Sequence, residues 1–162
     1  MPAINKQRRV SKWGALWLVL PLAIFVHPAF SGASDTSQCG NSTVADAWGP
    51  AAASQAQFFL TKLQRIVRAK DKGQFASLLH YPVRVLDGNH SYDIPSSSVF
   101  IRKYSSVITP AVKNAILEQS GSCLFANGDG IMIGRGQVWF QRESGGDMKI
   151  TSINLRAPTK HD

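Results

Sequence analysis

The run Ser122-Cys123-Leu124-Phe125-Ala126-Asn127-Gly128-Asp129-Gly130-Ile131-Met132-Ile133-Gly134-Arg135-Gly136-Gln137-Val138-Trp139-Phe140-Gln141, followed by Met148-Lys149-Ile150-Thr151-Ser152-Ile153-Asn154-Leu155, decides the fold. Val, Ile, Phe and Trp crowd both runs, while Gly134-Arg135-Gly136 and Ser144-Gly145-Gly146-Asp147 break them. The pattern predicts three strands joined by two tight turns. A hairpin alone is marginal in water, so these strands need another element laid across their apolar face. The last strand is irregular: by alternation Met148 and Ile150 share one face, Ile153 and Leu155 the other. That predicts either a bulge near Thr151-Ser152 or a strand covered on both sides.

The middle of the chain supplies the cover. Phe59, Leu63, Ile66 and Val67 recur at helical spacing and predict a helix from about Ala51 to Lys70, stopped by Asp71-Lys72-Gly73. A short helix over Gln74–Leu79 should end before His80-Tyr81-Pro82, because proline disfavours helix at the residue before it. Val83–Leu86 reads as a strand ended by the turn residues Asp87-Gly88-Asn89, and residues 89–97, polar and containing Pro95, as a loop. Ser96, Ser97 or Ser98 caps a third helix through Ile108, with Phe100, Tyr104, Val107 and Ile108 on one face. Thr109-Pro110 opens a fourth, with Val112, Ile116 and Leu117 inward, stopping near Gly121. The fold class expected is therefore α+β, helices packed on a curved antiparallel sheet that ends in a three-stranded meander. One domain spans 51–157, with a tail over 158–162.

Ahead of this domain Lys6, Arg8, Arg9 and Lys12 form a basic leader, residues 14–26 run without a charge, and Ser31-Gly32-Ala33 offers small residues for cleavage. That order reads as a secretory signal peptide over 1–33, with an apolar core short for a membrane span. An uncleaved anchor running to Phe30 is the alternative. Export places the protein in the periplasm or outside the cell, and residues 34–50 read as an irregular lead-in. The chain of 162 residues is formally +8, from 18 basic and 10 acidic residues. Four basic residues lie in the leader, so the remainder holds fourteen against ten, a net of +4. That is ordinary solubility charge, with no nucleic-acid footprint. Lys62, Arg65, Arg68, Lys70 and Lys72 cluster toward the end of the first long helix and read as a solvated face favoured by the helix dipole. Cys39 and Cys123 stand 84 residues apart. In an oxidising compartment they read as one disulfide, with two free thiols as the alternative. Closing a loop of that length stabilises by about 4–5 kcal/mol if unstrained. No Cys or His spacing fits a zinc site, and neither a metal nor a cofactor is expected.

Two helices, a strand, further helices and a closing antiparallel meander, in that order, resemble the nuclear-transport-factor-2-like superfamily. Gly130–Phe140 followed by Lys149–Asn154 looks like the C-terminal signature of small exported bacterial proteins of this kind. The resemblance covers roughly residues 51–156. It implies a cone in which a curved sheet wraps the first long helix. Catalytic relatives such as polyketide cyclases and ketosteroid isomerases work inside that cone, with a carboxylate or histidine base opposed by a tyrosine or acid. The fold hosts binding modules as well as enzymes.

Candidate chemistry gathers between residues 80 and 104. His80, Asp87, His90 and Tyr92 are the candidate acids and bases, and Tyr81, Arg84, Tyr104 and Trp139 the candidate pocket lining. Each has a plainer reading. Asp87 before Gly88 suits a turn, His80 suits a helix end bonded to a last-turn carbonyl, and His90 sits in a polar loop. Asp129, between Gly128 and Gly130, reads as a turn or bulge residue. The isomerase pattern itself is not reproduced: the first helix has no inward tyrosine, and Val138, Trp139 and Phe140 occupy the late strands where an acid would stand. The expectation is an exported, non-catalytic module holding a small apolar ligand or a periplasmic protein partner, for instance as an inhibitor or immunity protein. The alternative is a small cofactor-free isomerase, dehydratase or hydrolase. A homodimer through Met132, Val138, Trp139 and Phe140 is a third reading. No nucleic acid, and no membrane contact beyond the signal segment, is expected.

Overall fold

Thr43 and Pro50 mark where the first two helices begin. At α1 (Val44–Trp48) the Asp46 amide donates to the Thr43 hydroxyl at 3.4 Å, and the Thr43 amide donates to Asp46 Oδ2 at 2.9 Å, a reciprocal cap. Helix α2 (Pro50–Ala69) carries proline in its first turn, where a missing N–H breaks no helical bond. Ala52, Ala56, Phe59, Leu60, Leu63, Ile66 and Val67 are buried at helical spacing. Lys70, left-handed at φ 55°, ends this helix. Asp71 then caps α3 (Lys72–Ser77) by accepting from the Gln74 amide at 2.9 Å.

These elements belong to a computed structural model that describes residues 43–158, all within one compact unit. The signal-peptide reading of 1–33, the lead-in before Thr43, Cys39 and the last four residues lie outside the described residues. No helix among the described residues is long and apolar enough to cross a membrane.

The remaining elements are β1 (Leu79–Asp87), β2 (His90–Ile94), α4 (Ser97–Val107), α5 (Pro110–Glu118), a 3-10 turn at Gly121–Cys123, and β3 (Phe125–Asn127), β4 (Gly130–Ile133), β5 (Val138–Arg142) and β6 (Met148–Asn154). Among the described residues five α-helices accompany one open six-stranded sheet of order β2-β1-β6-β5-β4-β3, so the class is α+β. The sheet is mixed rather than antiparallel. Helices α4 and α5 carry the chain from β2 to the far edge, and successive antiparallel steps return it until β6 lies parallel to β1. The closing stretch holds four strands where three were expected. Asn127-Gly128-Asp129 turns the chain, and the Asp129 amide donates to Asn127 Oδ1 at 2.9 Å, the local bond that makes Asn a turn former.

Other boundaries also moved. Residues 44–48 are helical, not irregular. His80-Tyr81-Pro82 belongs to β1 rather than to a helix end, since Leu78 already closes α3. The stretch read as a loop contains β2: Gly88, at φ +64°, makes a hairpin turn, and Pro95 follows the strand instead of interrupting it. The irregular last strand is a bulge. Trp139 pairs with Ser152 and Phe140 with Ile150, which leaves Thr151 unopposed. Ile150 and Ile153 consequently both turn inward and are fully buried. Phe59 stacks on Phe140 with ring centroids 4.7 Å apart, fixing α2 against this inner face.

Candidate functional site

Phe58 and Phe59 are consecutive on α2, and a helix turns about 100° per residue, so they cannot share one face. Phe59 takes the core. Phe58 is left 75% exposed, the most exposed large hydrophobic residue of the described chain. It stands one turn from Ser54 and one turn from Lys62, neighbours along the same line of the helix. This line forms one wall of a cleft of about 630 Å³. The opposite wall is the β5–β6 hairpin, through Gly146, Asp147, Met148 and Lys149, and the end of α3 adds Ser77 and Leu78. The floor is apolar: Phe59, Leu78 and Met148 all line the cleft and are buried.

Polar groups ring this floor. Lys149 Nζ donates to the Ser77 carbonyl at 2.7 Å, tying the hairpin to α3. The Arg142 guanidinium donates to Gln55 Oε1, tying β5 to α2. At the turn the Glu143 amide donates to the Asp147 carbonyl at 2.8 Å and the Gly146 amide to the Glu143 carbonyl at 2.9 Å. The cleft thus offers an apolar trough with Lys62 and Lys149 on its two sides and Asp147 as its one lining acid.

None of the candidate acids and bases or candidate pocket residues read from sequence lines it. His80 Nδ1 contacts Glu143 Oε1, so it meets a carboxylate across the sheet instead of a helix-end carbonyl. Asp87 is held by Arg156 Nε at 2.8 Å, and that bond and charge raise the Arg156 pKa further. His90 faces Asp87 in the β1–β2 register and is exposed. Tyr92 is exposed on β2 with Lys103 Nζ 5.0 Å from its ring centre; partial burial, then the charge of Asp87, raises its pKa. Arg84 pairs with Asp93 at 3.2 Å on the surface. Tyr81 donates to the Ala76 carbonyl at 3.0 Å, and burial raises its pKa against an opposing bond from Ser97. Tyr104 packs edge-on against Phe75 and Phe100, and burial, then Asp71, raises its pKa. Trp139 lies on the outer sheet face, opposite Met132 and edge-on to Phe125.

These side chains therefore fall into separate groups, at the β1–β2 turn, around α3 and α4, and on the outer sheet face. Val138 and Phe140 are fully buried, so of the residues read as a dimer face only Met132 and Trp139 reach the outside. His80 and Glu143 contact each other, but neither lines the cleft. Among the described residues no three His, Cys, Asp or Glu side chains gather to hold a metal ion. The cleft itself was missed because its makers are a phenylalanine, lysines and a glycine turn. The doublet Phe58-Phe59 on an amphipathic helix was the signal that could have found it.

Compared with known proteins, the chain matches no family model, and no curated protein or solved structure matches it.

Proposed function

We propose that this chain is an exported, non-catalytic binding module that holds a small apolar ligand in the cleft between α2 and the β5–β6 hairpin. The observation that carries this reading is Phe58, three-quarters exposed at the wall of a 630 Å³ trough floored by Phe59, Leu78 and Met148. An exposed apolar side chain at the wall of a trough gains free energy when a ligand covers it, and the volume is that of ordinary small-molecule sites. Asp87, His90 and Tyr92 stand together at the exposed β1–β2 end and His80 apart from them, all outside the cleft, which supports binding over an isomerase or hydrolase that needs its base within reach of a bound reacting atom. Membership of the nuclear-transport-factor-2-like superfamily, with its cone, belongs to the same proposal. So does a periplasmic location, and so does a Cys39–Cys123 bridge, for which the support is that no described cysteine is free.

A titration with Nile red, a neutral fluorophore, tests the cleft. The wild-type domain should bind the dye with a blue-shifted emission, and Phe58→Ser should weaken binding at least fivefold with thermal melting unchanged, as expected for loss of one apolar wall. Equal binding by both proteins rejects the cleft as the site.

A further inference from the structure

Lys62 lies on the same helical line as Phe58 and lines the cleft. It takes part in none of the three ion pairs among the described residues, which use His80, Arg84 and Arg156. Helix α2 carries Lys62, Arg65 and Arg68 and no acid. Across the trough Lys149 spends one N–H on the Ser77 carbonyl and keeps two of its three donors. Asp147 is the one lining carboxylate, set against the two lining ammonium groups of Lys62 and Lys149. An anionic head at the exposed Lys62 would gain charge-assisted hydrogen bonds that a neutral head cannot match, and a cationic one would be repelled.

We infer that the ligand is a single-chain amphiphile with an anionic head, its tail against Phe58, Phe59 and Met148 and its head at Lys62 with Lys149 opposite. This rests on the binding reading above and adds polarity and orientation to it. A concave trough with a buried floor suits an inserted chain, whereas a bilayer surface offers no part that fills it.

Competition against bound Nile red separates the two levels. Decanoate, decan-1-ol and decyltrimethylammonium share a tail and differ in head charge. Decanoate should displace the dye at a concentration about fivefold lower than decan-1-ol, from charge-assisted hydrogen bonds to the ammonium groups, and decyltrimethylammonium should be weakest. Lys62→Glu should abolish the preference and Lys62→Gln should reduce it; both sit on an exposed position, and circular dichroism checks their folding. Equal potency of decanoate and decan-1-ol, or a preference kept in Lys62→Glu, overturns the anionic head while the apolar cleft stands. If none of the three displaces the dye, the cleft reading fails and this inference with it. Phosphatidylglycerol vesicles that deplete the protein, while decanoate leaves the dye in place, assign the patch to a membrane surface and overturn the proposal.

Discussion

Two turns join the last three strands, and they are held in different ways. Between β4 and β5, the Gly134 amide donates to Gln119 Oε1 at 2.8 Å and the Arg135 amide to Gln137 Oε1 at 2.6 Å. Gln137 Nε2 donates in turn to the Pro158 carbonyl at 2.7 Å, and Gln137 is the one buried polar residue of the described chain. Between β5 and β6, the turn closes through its own backbone, with His80 against Glu143 from outside. Gly145 and Gly146 have nothing within 4 Å of where a Cβ would stand. The crowded turn fixes the sheet; the open one borders the cleft. A side-chain network locks part-buried backbone amides at the first turn, whereas the solvated second turn is closed by its own backbone. The wall of the cleft is in this way drawn from the less constrained end of the same hairpin series.

The largest expected effect uses the glycines themselves. Gly134 and Gly146 both have left-handed backbone, at φ +71° and +90°. Alanine at either should lose about 1–2 kcal/mol for that conformation. At Gly134 the new methyl would also stand 2.2 Å from Gln137 Oε1 and 2.9 Å from Ala115 Cβ. Overpacking of this kind adds about 1–3 kcal/mol, so Gly134→Ala should be clearly the worse of the two in urea unfolding. Similar losses for both variants would break the comparison. Next comes Gln137→Ala, which removes one acceptor and one donor from a buried position. It should cost about 2 kcal/mol, visible as a lowered melting temperature, because the amide and carbonyl it served lose their partners. A loss below about 0.5 kcal/mol, the range of an ordinary surface change, would mean the turn does not depend on its glutamine.

Much of the fold was legible because it is written locally. The stripe on α2 and the Thr109-Pro110 start of α5 follow from spacing or capping within a few residues, and the alternation of the last strand admits the bulge found at Thr151 as one of two readings. What was not legible depends on distant partners. Nothing in His90–Ile94 reads as a strand, since four of its five residues are exposed at the sheet edge and only Ile94 is buried. The parallel pairing of β1 with β6 joins segments more than sixty residues apart, and no local period encodes it. The site shows the same division. His80, Asp87, His90 and Tyr92 stand out for their chemistry, and the fold gathers three of them at the exposed β1–β2 end, yet none of the four lines the cleft. One wall of the cleft was readable in Phe58-Phe59; the other required knowing where the Gly145-Gly146 turn would land.

The smallest effect concerns the side-chain contact of Glu143 at the open turn. His80 and Glu143 are both partly exposed, with side-chain exposures of 52% and 32%. Solvent-exposed pairs of this kind contribute about 0.2–1 kcal/mol, so His80→Gln should barely move global unfolding. The change should appear locally instead. The Gly146 amide donates to the Glu143 carbonyl, and its hydrogen exchange should quicken once Glu143 loses its partner, while exchange at Arg135 stays unaltered. A global loss as large as that of Gln137→Ala would mean that the β5–β6 turn is pinned as firmly as its neighbour. The cleft would then have a rigid wall on the hairpin side, and any adjustment to a bound chain would have to come from Phe58 on α2.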